Sequence, residues 1–452
     1  MMVPIIELLG FIQSGFQFLN AELSALQLEN LMMIGNGLLL GSKFNLSEIH
    51  RLWLKKKSIN AFSHFLSHSK LRLDNLTLLY HRMLIASYGD HLKGGRFIID
   101  DTMEHHSKLC QYIHGVFAHF DHALGTHLKA KCLVFLYYQE AGLVKFPIGW
   151  RIYYKNGSKS KNELALELIE AGLRRGFSGS VVLADSWYCV APFLKGLRSL
   201  PAKLNLERPL IYVMELKPNL TIEEWLNAEE QSGENRKQKK RKLYCKVKVE
   251  GYFQRNVSES KQVGFGLDIE SGKAERTLYK VQRVVAKIHA LPGKHVIVRS
   301  FDVEKKTIKY LITNELTWEG AKVIHEYCQR WVIEEFFRNA KQLLDMEGAC
   351  IRSEQGVAIA LFLVTLLDAL LHLEVFRRAS EDPQTDPITV QSIIRVQQIE
   401  NIQNFIEVIQ DEEQRDEFLQ KWVSQLEEDA IQPRRKRYPL VELETENVLQ
   451  AA

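Results

Sequence analysis

No CxxC pair and no HExxH run occurs in this chain, and its six cysteines, Cys110, Cys132, Cys189, Cys245, Cys328 and Cys350, stand singly. That spacing argues against a zinc ribbon, and a chain of 452 residues needs no disulfide scaffold, so a reducing cytoplasm is the default. Long apolar runs are also missing. The most apolar stretch, residues 357–367, is too short to span a bilayer and is followed by Asp368, so it reads as a buried helix. The N-terminus has no basic segment and meets Glu7 early, unlike a signal peptide. No repeat recurs at solenoid periods. Net charge is small, +4 with a pI near 8.5, so nucleic-acid binding must be argued from local charge. What remains, 46% hydrophobic and 25% charged, is an ordinary globular composition with chain enough for several domains.

Residues 1–92 read as a helical domain, with apolar residues at three and four spacing through Phe16, Leu19, Leu23 and Leu26 and through Leu73, Leu76, Leu79 and Met83. The basic cluster Arg51, Lys55, Lys56 and Lys57 beside Trp53 suits either a DNA-binding edge or a solvated face. From Arg96 the pattern becomes α/β. RFIID reads as a buried strand ending in the pair Asp100 and Asp101, and VVLADSWY as a second strand with Asp185 near its end. Strands alternating with helices, and carboxylates at strand ends, place a candidate site along one sheet edge over residues 93–217. Residues 218–320 read as a β-rich insertion, and 236–248 hold eight Lys or Arg and no acid, among them Lys239, Lys240 and Arg241. Such a run repels itself, and a polyanion partner explains it better than a solvated loop does. Residues 322–345 read as one strong helix inside a returning core segment, 321–378. Residues 379–452 are polar and helical in part, with PRRKR at 433–437.

The helix at 322–345 carries the most information. At about 100° per residue, Tyr327, Arg330, Trp331, Glu334, Arg338 and Lys341 share one stripe, opposite the apolar Val332, Phe336, Ala340 and Leu343. Solvated faces often carry i,i+4 ion pairs. This stripe also carries two aromatics and one central carboxylate between cations, which suits a metal ligand beside a phosphate backbone. Glu335 falls off its centre. Asp100, Asp185 and Glu334 then form a possible carboxylate triad for hard divalent cations.

The spacing Tyr327-x2-Arg330-x3-Glu334-x6-Lys341 resembles the Y-R-E-K signature of bacterial insertion-sequence transposases of the DDE type. IIDDT at 98–102 is similar to that family's first-aspartate strand, with Thr102 favouring Asp100 over Asp101. VLADSWY at 182–188 is similar to its second, with Tyr188 three residues after Asp185. The resemblance covers roughly residues 95–375. It implies a ribonuclease-H-like mixed sheet flanked by helices, interrupted by a β-rich insertion before the helix of Glu334. It implies Asp100, Asp185 and Glu334 as ligands of two Mg²⁺ ions, with Mn²⁺ able to substitute. It implies Tyr327, Arg330 and Lys341 as DNA-phosphate contacts, with Trp331 stacking on an unstacked base; Arg338, on the same stripe, is read as a further DNA contact. The implied activity is cleavage at the ends of a mobile element and transfer of the freed 3′-hydroxyl to target DNA, with a hairpin route open. The implied setting is a homodimer on double-stranded DNA, with no membrane, in the bacterial cytoplasm and nucleoid.

Other readings stand beside this one. A stand-alone metal-dependent nuclease would lack strand transfer. An element-derived DNA-binding protein would lack catalysis, although all three acids are present. His105, His106, His114, His119, His122 and His127 crowd one stretch, yet lack the spacing of a metal site. Trp187 and Tyr188 suit packing at the strand end as well as DNA contact.

Overall fold

The computed structural model describes residues 3–41, 43–54, 57–106, 112–121, 125–140, 143–225, 244–255, 261–267, 275–382 and 388–431. Five helices come first: α1 (Gly10–Phe16), α2 (Ala25–Gly41), α3 (Leu46–Leu52), α4 (Ile59–His68) and α5 (Leu73–Tyr88). Local chemistry sets their starts. The Asn45 side chain accepts from the N–H groups of Ser47 and Glu48 to cap α3, and Ser58 caps α4 through the N–H of Asn60.

The sheet begins with β1 (Arg96–His105), β2 (Phe117–Asp121), β3 (Thr126–Gln139) and β4 (Lys145–Tyr153). A crossover follows through α6 (Lys161–Arg174), which opens with a Ser160/Glu163 capping box, to β5 (Val181–Ala184). The chain leaves α6 through Gly176 at φ +96°, a backbone position that suits glycine. Another crossover through α7 (Ala191–Leu204) leads to β6 (Ile211–Glu215). Strands β1, β5 and β6 are parallel, whereas β3 runs antiparallel to both β1 and β4. This is the mixed sheet of a ribonuclease-H-like core, with its parallel strand ends along one edge.

Next come β7 (Thr221–Trp225), β8 (Tyr244–Lys248), α8 (Val249–Arg255), β9 (Lys261–Leu267), β10 (Glu275–Ile288), β11 (Lys294–Asp302) and β12 (Thr307–Thr313). They do not form a sheet of their own. Strand β12 pairs with β6, and the order runs β2-β3-β1-β5-β6-β12-β11-β10-β7-β8, with β4 on β3 and β9 on β10. The chain then forms α9 (Gly320–Cys328), α10 (Trp331–Gln342), α11 (Glu354–Glu381), α12 (Val390–Gln410) and α13 (Glu412–Ile431).

Two elements differ from their sequence reading. Strand β1 does not end at its carboxylates. It runs five residues past Asp100 because β3 is long enough to pair with it as far as His105. The single helix expected over 322–345 is two helices. At Gln329 and Arg330 the bonds reach back three residues instead of four, Gln329 N–H to Glu326 at 3.1 Å and Arg330 N–H to Tyr327 at 3.0 Å. That tight turn ends α9 and starts α10.

Helix α11 is long and apolar enough to cross a membrane by length and composition, but it is almost wholly buried inside the protein. It packs on α2, α4, α5 and β4, so the N-terminal helices share one hydrophobic core with the sheet. Asp368 is fully buried in this core. Neither of its oxygens has a hydrogen-bond partner among the described residues. Burial pushes the Asp368 carboxyl well above its usual range, with the charge of Lys145 opposing and that of Glu335 reinforcing. A carboxyl raised in the fold contributes stability that is present below its ordinary pKa and lost as pH rises through the folded value. Asp368→Asn is therefore expected to raise the unfolding free energy near pH 8 by about 1 kcal/mol or more, seen as a higher urea midpoint. The gain should shrink toward pH 4. Paired unfolding curves at the two pH values check this.

Candidate active site

Three elements converge at the parallel strand ends. Ile99 of β1 is in register with Ala184 of β5, so Asp100 and Asp185 follow as neighbours on adjacent strands. Asp185 lies just past β5, where its Oδ1 accepts the Trp187 N–H at 2.9 Å. Glu334 comes from the first turn of α10, which packs on the same sheet face as Asp100. Phe336 meets Phe135 at 5.0 Å and Tyr137 at 5.3 Å between ring centroids, and Phe135 stands directly opposite Asp100 in the β1–β3 ladder.

Arg330 joins these groups. Its guanidinium donates to Asp100 Oδ2 at 2.7 Å and to Glu334 Oε1. Arg330 and Asp100 are mostly buried, while Glu334 remains about one-third exposed at 32%. Burial is the main cause that pushes the Asp100 carboxyl up to about 7; the negative charges of Asp185 and Asp101 add, and Arg330 opposes. The Asp185 carboxyl is also raised, chiefly by burial. Burial works against the charge of Arg330, but Tyr327, Asp100 and Glu334 more than offset it and hold the guanidinium protonated.

The adjacent Asp101 points to the other face of β1. Its carboxylate accepts from Lys161 Nζ at 2.6 Å, Tyr188 Oη at 3.2 Å and Cys132 Sγ at 3.6 Å. The two aspartates thus separate by strand alternation, one toward Arg330 and one into a closed network.

The remaining stripe residues occupy three settings. Tyr327 is buried and donates its hydroxyl to Glu215 Oε2 at 2.8 Å, with the Arg330 guanidinium 5.7 Å from its ring. Lys341 donates to the Met103 carbonyl at 2.8 Å and pairs with Glu347 at 2.9 Å. Trp331 and Arg338 are exposed, Trp331 at 62%. Glu335, off the stripe, pairs with Lys145 at 3.0 Å. In the N-terminal basic cluster, Lys57 pairs with Glu29. Lys239, Lys240, Arg241, Lys55, Lys56 and the 433–437 segment lie outside the described residues.

Sequence reasoning did not find Lys161, Glu215 or Lys217. Lys161 is the first residue of α6 and lies 60 positions from Asp101. Glu215 ends β6, and only the pairing of that strand brings it to Tyr327.

The three acids offer carboxylate oxygens, the ligand chemistry preferred by hard divalent cations. In this arrangement the Arg330 guanidinium stands between Asp100 and Glu334 as the cation they share. No group of three His, Cys, Asp or Glu among the described residues is drawn together closely enough to hold a metal ion. The oxygen chemistry of the three acids fits a metal, and in this arrangement two of them are bridged by Arg330.

Residues 142–367 match the family model described as the transposase DDE domain, which is half of the chain. The matched span contains Asp185 and Glu334 and begins after Asp100. A search of curated proteins finds none that matches this chain.

If the Tyr327 hydroxyl serves Glu215, Tyr327→Phe should cost about 1 kcal/mol of stability and leave DNA affinity unchanged. A lost phosphate contact would give the reverse pattern. Urea unfolding together with a DNA-binding titration separates the two.

Proposed function

The chain belongs to the transposase DDE-domain family and is therefore a DNA-processing enzyme, and from that premise we propose that it cuts DNA at the ends of its own mobile element and joins the freed 3′-hydroxyl to target DNA. The observation that carries this reading is the placement of Asp100 on β1 beside Asp185, just past the end of the parallel β5, with Glu334 turned toward Asp100 across a single arginine.

Enzymes of this family normally use divalent metals. Asp100, Asp185 and Glu334 are the residues that would hold two Mg²⁺ ions, with Mn²⁺ able to substitute. When bound, such ions supply charge neutralisation for an in-line phosphoryl displacement. The burial of Asp100 among other carboxylates creates a position that strongly favours a cation. Asp101 is spoken for by Lys161 and Tyr188, which supports Asp100 as the ligand.

Arg330 has a second task in this reading. Its Nε is buried without a hydrogen-bond partner among the described residues, so a donor is in reserve beside the scissile position. A DNA phosphate would draw the guanidinium away from Asp100 and Glu334, and bidentate arginine–phosphate geometry suits that exchange. The Tyr327 ring, against the Arg330 guanidinium, keeps that group in place. Trp331, exposed beside it, stacks on an unstacked base and can support a hairpin on the element end. Arg338 meets the backbone about two turns on, while Lys341 fixes α10 against β1. Lys239, Lys240 and Arg241 add sequence-independent backbone contacts.

At the level of domains, residues 1–92 read the element end, and 93–217 with 321–378 form the catalytic core. Residues 218–320 are the insertion, and 379–452 contribute to a homodimer holding two ends. The enzyme would work on nucleoid DNA in the bacterial cytoplasm.

The test incubates the full-length protein with the DNA flanking its own gene and Mg²⁺. Cutting at the element boundary is expected, with Glu334→Gln reducing it at least about a hundredfold while end binding persists. Boundary-independent cutting would favour a general nuclease, and binding without cutting by either protein a silent DNA-binding relative.

A further inference from the structure

Two aromatic residues follow Asp185, and the fold treats them oppositely. Tyr188 is fully buried and donates to Asp101, so it does the packing that a strand end needs. Trp187 leaves 49% of its surface in water. Its backbone N–H holds Asp185, which fixes the indole within one turn of the carboxylates. The Lys161 and Lys217 ammonium groups lie 5.2 Å and 5.8 Å from the ring centroid, near the outer limit of cation–π contact. Lys161 is anchored by Asp101, whereas Lys217 is exposed just beyond β6, on a flexible stem.

The sheet places this cluster opposite Trp331. Helix α10, which begins at Trp331, lies on the Asp100 face. Lys161 opens α6 on the other face, where Val134, the partner of Asp101, and Leu136, which meets Gly172 of α6, also point. One exposed tryptophan therefore flanks the carboxylates on each face of the same sheet edge.

We infer that Trp187, with Lys161 and Lys217, is a second single-strand contact, on which a base of the DNA strand leaving the site on the α6 face stacks while Lys217 turns to its phosphate. This rests on the transposase reading of the site. A half-exposed indole offers a π-face to any base, and a lysine at its rim adds the charge that tracks a backbone.

Photo-crosslinking tests it directly. Full-length Glu334→Gln protein binds the element-end duplex carrying one 5-iodouracil at successive positions around the boundary, and crosslinked peptides are identified by mass spectrometry. A crosslink at Trp187 is expected, abolished in the Glu334→Gln, Trp187→Ala double variant while crosslinks at other residues persist. In the otherwise native chain, Trp187→Ala should slow boundary cutting about tenfold, and Trp187→Phe should keep most of it. Crosslinks elsewhere with none at Trp187, or undiminished cutting by Trp187→Ala, would overturn the inference. Crosslinking at Trp187 with no cutting by the native protein would leave this contact standing and overturn the transposase chemistry instead.

Discussion

The Arg330 bridge is the interaction on which the site depends. A buried arginine between two carboxylates is costly to desolvate, and only close pairing offsets that cost. Here it is placed by a local departure from helix geometry, the tight turn between α9 and α10, and supported by the Tyr327 ring. Tyr327 is in turn fixed by Glu215, and α9 by the bidentate pair of Glu326 with Arg96 at the start of β1, at 2.6 and 3.2 Å. Each link joins a helix that follows the insertion to a strand that precedes it. The geometry of the three acids is thus a property of the assembled sheet and cannot be built by any one segment.

The α/β class, the alternation of strands and helices and the family were legible in the sequence, because each is written in local periodicity or fixed spacing. The turn at Gln329 and Arg330 was not. Its residues are good helix formers, and the apolar positions on either side continue the helical phase, so only packing against β1 and β3 reveals the break. The length of β1 was hidden for a related reason: DDTMEH is polar, and it becomes strand because β3 offers partners through Ala130. The separate roles of Asp100 and Asp101 could not be read either. Strand alternation says that they part, but not which faces the helix of Glu334.

The strands after residue 218 show why the insertion bears on the site. Because β12 pairs with β6, the added strands extend the catalytic sheet, and Lys309 of β12 reaches both Glu215, at 3.3 Å, and the Tyr327 ring, at 5.3 Å. The Glu215 Oε2 atom therefore meets both a hydroxyl and an ammonium. A free-standing insertion domain could not hold Tyr327 in this way. Continuing the sheet makes the insertion part of the support beneath Arg330.

Adjacent carboxylate pairs recur on both sides of the site, and the same logic separates each. Asp100 and Asp101 part because successive strand residues point to opposite faces; Glu334 and Glu335 part because successive helix residues differ by about 100°. In each pair one member faces Arg330, and the other is tied down by a lysine from a different element, Asp101 by Lys161 and Glu335 by Lys145. The tied member anchors the backbone that carries the free one. A site built to gather negative charge needs such anchors, since mutual repulsion among its acids would otherwise spread the strands and helix that present them. The neighbouring acids are then the fixed points against which repulsion at the site is held.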